Sequence, residues 1–125
     1  MNPMVLECVI DAMKQGWANS FSPHSMGRKA AVLIEEARGS LAAMLNVSSK
    51  QIRFTSGATE ANSWLLSSYS QQGAVYTSAI EHPSVLAYAN RCIPTNRQGI
   101  ILIDHLREMM EEDVPAVISV MAANL

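Results

Sequence analysis

The sequence is poor in cysteine, in aromatic residues and in long apolar runs. Its 125 residues hold two Cys, 6% aromatic and 16% charged side chains. Cys8 and Cys92 lie far apart, with no Cys-x-x-Cys spacing and no neighbouring histidine, so neither a zinc cluster nor a disulfide framework is encoded. Two free thiols in a reducing cytoplasm, and no bound metal, are the expectation. Apolar stretches such as Ile100 to Ile103 fall well short of the ~20 residues that a membrane span requires. Glu7 and Asp11 interrupt the apolar N-terminal segment and no basic leader precedes it, which argues against a secretory signal. Nine Lys and Arg face eleven Asp and Glu, for a net charge of -2, and no basic stripe is present to follow a phosphate backbone. Neither nucleic acid nor membrane is an expected partner. No repeat or low-complexity segment appears.

What is present suffices for a folded α/β unit. Hydrophobic residues make up 49% of the chain, and a chain of this size buries enough surface to fold without staples. After Pro3, apolar residues at Val5, Cys8, Val9, Ala12 and Met13 recur at helical spacing, and Gly16 ends that helix. Residues 17–27 carry Asn, Ser, Pro and His, the chemistry of a loop. Ala30, Ile34, Ala37, Leu41 and Leu45 form the stripe of a second helix, stopped at Asn46. Strands are expected over 51–55, 74–78, 91–95 and 116–122, the last an apolar run buried on both faces. Helices are expected over 58–69, from Pro83 to about Asn90, and from a cap at Asp104 to Glu112, with a turn at 96–99. Alternation of strands and helices implies a mostly parallel sheet with flanking helices.

Three stretches carry potential chemistry. Phe54-Thr-Ser-Gly57-Ala-Thr59-Glu60 joins a strand to a helix through small residues. The unpaired N–H groups of the helix start, completed by the Thr59 hydroxyl, suit a phosphate; the same residues also serve as an ordinary tight connection. No Gly-Lys-Ser/Thr accompanies them, so this is not a Walker loop. Ala79-Ile-Glu81-His82-Pro83-Ser84 follows the next strand, and ligand crevices of parallel sheets lie at the strands' carboxyl ends, where His82 and Thr59 are able to converge. A surface histidine beside a helix start is the simpler account. Asn124, in Met121-Ala-Ala-Asn124-Leu125, reaches the same edge, either to hydrogen-bond a ligand or to satisfy a turn.

In this order, and with Asn19, Ser22, His24 and Gly27 upstream, the motifs resemble the cysteine desulfurases of the class V aminotransferase family, over essentially the whole chain. The resemblance implies an incomplete large domain of the type I fold of pyridoxal phosphate-dependent transferases, with residues 1–16 as a helix on the small-domain side and 17–125 as part of the cofactor-binding domain. It implies that Ala58 and Thr59 hold the phosphate of pyridoxal 5'-phosphate, that His82 stacks on the pyridine ring and handles protons, and that Asn124 lies near the ring oxygen and the substrate carboxylate. The implied reaction takes sulfur from L-cysteine, leaving L-alanine and an enzyme persulfide, in a cytoplasmic homodimer that serves a sulfur-acceptor or scaffold protein, as in iron–sulfur cluster assembly.

The sequence also departs from the family pattern. Ser63 stands where a second Asn is usual, and Leu125 where a polar residue is. The family's cofactor-linking lysine follows the Asn124-like position, whereas Lys14, Lys29 and Lys50 all precede Gly57, and neither Cys8 nor Cys92 matches the persulfide cysteine. The chain therefore reads as the first part of a desulfurase. A non-catalytic module that pairs with a full-length desulfurase is the alternative, and an unrelated nucleotide-binding α/β domain finds no Gly-x-Gly-x-x-Gly support.

Overall fold

The computed structural model describes residues 2–123 and divides into two compact units, Met1–Phe54 and Thr55–Leu125. In the first unit, α1 (Pro3–Gln15) opens with Asn2, whose side chain accepts from the Met4 amide at 3.0 Å, and with Pro3 in the first turn. The Gly16 amide closes it on the Ala12 carbonyl at 2.7 Å. Helix α2 (Ser25–Leu45) starts inside the segment expected to be a loop. His24 supplies the reason: its Nδ1 accepts the Gly27 amide at 3.3 Å and caps the helix three residues earlier than the apolar stripe suggests. Asn46 ends α2 in the left-handed conformation (φ 53°, ψ 46°), as expected.

No strand forms over 51–55. Ser49–Gln51 is a short 3₁₀ turn with a reciprocal cap between Ser48 and Gln51. Beyond it, the Ile52 carbonyl takes the Arg38 guanidinium at 2.6 Å instead of a ladder partner, and Arg38 lies over the Phe54 ring at 5.0 Å. A side chain of α2 thus satisfies backbone that a neighbouring strand would otherwise pair.

The second unit runs α3 (Ala58–Ser70), β1 (Val75–Ser78), α4 (Pro83–Leu86), β2 (Arg91–Ile93), α5 (Ile103–Glu112) and β3 (Val117–Ser119). The strands form a parallel sheet in the order β2-β1-β3, with Tyr76 opposite Arg91 and Ile118. The α/β class and the parallel sheet expected from the sequence are what the chain adopts. Strand β1 is central and wholly buried. Val75 packs with Leu66 of α3 and Val85 of α4, and Tyr88 and Val117 close over them.

Three local expectations are corrected. Helix α4 stops at Leu86, not near Asn90, because the Asn90 side chain is drawn back to accept the Val75 amide at 2.7 Å while its own amide donates to the Val75 carbonyl at 2.9 Å. Asp104 does not cap α5: Leu102 occupies that position, and Asp104 sits in the first turn, paired with Arg107 at 3.0 Å. Strand β3 is shorter than the apolar run and is not buried on both faces. Ile118 remains 37% exposed, and β3 pairs only with β1 among the described residues.

Candidate functional site

The carboxyl end of β1 carries a buried polar pair, Ser78 and Glu81. Buried Ser78 donates its hydroxyl to Glu81 Oε1 at 2.9 Å, the Glu81 amide returns to the Ser78 carbonyl, and the Ala79 amide bonds the Ile93 carbonyl of β2 at 3.1 Å. These bonds close the connection tightly and bring the chain to His82 at the start of α4. Glu81 is 8% exposed, and the Ser78 hydroxyl satisfies one of its oxygens.

His82 caps α4. Its Nδ1 accepts the Ser84 amide at 3.1 Å and lies 2.8 Å from Ser84 Oγ, while Asn62 Nδ2 of α3 donates to that same Oγ at 3.0 Å. Asn62 follows Thr59 by three residues, so the two share one face of α3. The docking of α3 on α4 therefore sets the Asn62 turn of α3 beside the segment that carries His82.

The start of α3 is rich in unpaired donors. Gly57 is its N-cap and no side chain caps it. Among the described residues, the amides of Ala58 and Thr59 and the Thr59 hydroxyl carry no hydrogen-bond partner. The Glu60 carboxylate turns away from them to accept the Ser56 amide at 2.6 Å. Hydrogen bonding from Ser56, its hydroxyl first and then its amide, holds Glu60 below the usual carboxylate range. Exposed amides and a hydroxyl at the positive end of a helix of 13 residues form a donor set that fits a phosphate.

Asn124 lies outside the described residues. The segment leading to it does not: Met121–Ala123 line a cleft of about 470 Å³ together with Ile80, Gln98 and Ile100. Ile80 stands two residues before His82, so the chain after β3 and the chain after β1 reach the same edge of the sheet. The sequence alone assigns no site role to Asn62 or Ser84. The spacing of Asn62 from Thr59 was the available signal, but their partnership needs α3 and α4 to be docked. No group of three or more His, Cys, Asp or Glu side chains that could hold a metal occurs among the described residues, and no described helix is long and apolar enough to cross a membrane.

The arrangement is a glycine-started helix with free donors, docked on a short helix that a histidine caps at the carboxyl edge of a parallel sheet. Residues 3–125 match the family model described as aminotransferase class-V, and the chain belongs to that family. It is 35% identical to the cysteine desulfurase IscS 1 of Archaeoglobus fulgidus, over 96% of this chain and 35% of that protein. To the selenocysteine lyase of Rattus norvegicus it is 43% identical over 54% of this chain and 16% of that protein. In structure it is similar to the NifS-like protein of Rickettsia africae, with a TM-score of 0.80 and 32% identity over 99% of this chain and 37% of that one. The chain spans about a third of the length of the curated relatives it matches.

Proposed function

We propose that this chain forms the phosphate- and ring-binding part of a pyridoxal phosphate-dependent cysteine desulfurase. The observation that carries the reading is the set of unpaired donors at Ala58 and Thr59 on a helix docked against the His82 segment. When bound, the cofactor supplies an electron sink for chemistry at an amino acid's α-carbon. Ala58 and Thr59 bind its phosphate with two backbone amides and one hydroxyl, reinforced by the positive end of α3. His82 stacks on the pyridine ring and holds a proton at its outward nitrogen, and Asn124 hydrogen-bonds the ring oxygen and the substrate carboxylate. Glu60, engaged with Ser56, keeps its charge off the phosphate donors.

In this reading the substrate is L-cysteine and the products are L-alanine and a persulfide on an enzyme cysteine. The cofactor-linking lysine and the persulfide cysteine are contributed from outside residues 1–125. Residues 1–16 belong to the small-domain side and 17–125 to the large domain. The working enzyme is a cytoplasmic homodimer that passes sulfur to an acceptor or scaffold protein.

The test is phosphate-dependent binding. Titration of the chain with pyridoxal 5'-phosphate and with unphosphorylated pyridoxal is expected to show tighter binding of the former, with competition by inorganic phosphate. Thr59→Ala is expected to weaken it about tenfold, as loss of a hydrogen bond to a charged group does. Equal binding of the two vitamers overturns the reading.

A further inference from the structure

We propose that Asn62 and Ser84 are positioning residues that fix the tautomer and the orientation of the His82 ring, an inference that rests on the reading of His82 as a group facing the cofactor. The bond from the Ser84 amide to Nδ1, at 3.1 Å, decides the protonation pattern. A backbone N–H only donates, so Nδ1 must accept, and the neutral ring carries its hydrogen on Nε2. The Ser84 hydroxyl, 2.8 Å from the same nitrogen, can either reinforce this arrangement or turn elsewhere. Asn62 biases the choice: its amide Nδ2 donates to Ser84 Oγ at 3.0 Å and takes one of the hydroxyl's two acceptor positions, which favours the orientation that points the hydroxyl hydrogen at Nδ1. The two Ser84 donors share the one lone pair of Nδ1, and the outward edge of an otherwise exposed ring offers an Nε2–H donor.

The arrangement needs this second hold. Helix α4 has four residues, too few to orient a solvent-exposed side chain at its start through its own stability. Asn62 and Ser84 are half-buried, and they tie the ring to α3, the helix that carries Ala58 and Thr59. The donors proposed for the phosphate and the ring proposed to lie on the pyridine are thereby held by one set of side chains. In its neutral state His82 donates from Nε2 at its outward edge and keeps its ring face for stacking.

The test is two-bond 1H–15N NMR of the histidine rings in the 125-residue chain at alkaline pH, with His82→Gln to separate the His82 signals from those of His24 and His105. The ratio of the Nε2–H to the Nδ1–H tautomer in the wild-type ring is expected to exceed that of free histidine by about fivefold, the shift that one ordinary hydrogen bond produces. Ser84→Ala lowers the ratio, and Ser84→Thr, which keeps the hydroxyl, preserves it. Asn62→Asp also lowers it, because the introduced carboxylate draws the Ser84 hydroxyl hydrogen away from Nδ1 while leaving α3 joined to α4. A ratio unchanged by both Ser84→Ala and Asn62→Asp overturns the proposal. The measurement needs no cofactor, so a shifted ratio in a chain that binds pyridoxal 5'-phosphate and pyridoxal equally supports the positioning pair and refutes only the cofactor reading.

Discussion

The Ser56 amide donates to Glu60 Oε2 across 2.6 Å, so the one acidic side chain in the first turn of α3 folds back over the turn that precedes the helix. The arrangement supports the helix start and leaves the Ala58 and Thr59 amides to a ligand. It also makes the local structure sensitive to acid. Glu60 ionises below the usual glutamate value of about 4.3 because Ser56 bonds its charged form. A carboxyl whose folded-state value is lowered contributes stability that is complete above the unfolded value and is lost as pH falls through the folded one. The difference in Tm between wild type and Glu60→Gln, which keeps an acceptor but no charge, is therefore expected to be constant above about pH 5. It closes as the pH is taken below the ordinary glutamate range. Thermal melts from pH 7 downward, monitored by circular dichroism, provide the check; a gap that widens in acid contradicts the account.

Tyr76 is the buried tie between the sheet and α5. Its hydroxyl reaches the Asp113 carbonyl at 2.8 Å and the Met109 carbonyl at 3.1 Å, and the Arg91 guanidinium lies 5.6 Å from the centre of its ring. Tyr76→Phe keeps the packing and removes the donor, so the Asp113 carbonyl at the end of α5 loses this partner while the Met109 carbonyl keeps only the Asp113 amide. The expected cost is roughly 1–2 kcal/mol in denaturant unfolding. Faster amide exchange confined to the C-terminal turn of α5 separates this cause from general loosening of the core.

Gly27 is where the loop before α2 closes onto the helix. A Cβ there would collide with the Ser22 carbonyl oxygen and stand 2.8 Å from that of Asn19. Both obstacles are backbone, so no side-chain rotation relieves them. Gly27→Ala is expected to destabilise the first unit by about 1–3 kcal/mol, the usual cost of overpacking, whereas Gly39→Ala, with open space around the added methyl, is expected to be neutral or stabilising by up to ~1 kcal/mol for a helix interior. Denaturant midpoints of the two variants make the comparison.

How much of this was legible in the chain depends on how local the deciding interaction is. Pro3, Gly16, Asn46 and the apolar stripes mark α1 and α2 because caps and periodicity act within a few residues. The Gly57 helix start and the His82-Pro83 opening were readable for the same reason. The supposed strand at 51–55 failed because Arg38, on a helix earlier in the chain, bonds the Ile52 carbonyl. Helix α4 ends early because Asn90 reaches back to Val75. Asn62 and Ser84 are separated by 22 positions, so their pairing, and with it the hold on His82, exists only once the helices have docked. The apolar run at 116–122 has the composition of a doubly buried strand, yet hydrophobicity alone does not tell a covered strand from one at the edge of the described sheet.

The three lysines bear on whether this chain links the cofactor covalently. Lys14 and Lys29 belong to α1 and α2, and Lys50 lies in the 3₁₀ turn, all exposed and all within the unit that ends at Phe54. The donors at Ala58 and Thr59 belong to the other unit, whose cations are all arginines. A dedicated Schiff-base lysine is activated by burial or by a neighbouring cation, and none of these three lysines is buried. Incubation with pyridoxal 5'-phosphate followed by borohydride is therefore expected to leave only substoichiometric label, spread over the three lysines and indifferent to Thr59→Ala. Peptide mass mapping reads the distribution. A single lysine labelled to one equivalent, and released from labelling by Thr59→Ala, would show that this chain brings its own covalent anchor to the phosphate site.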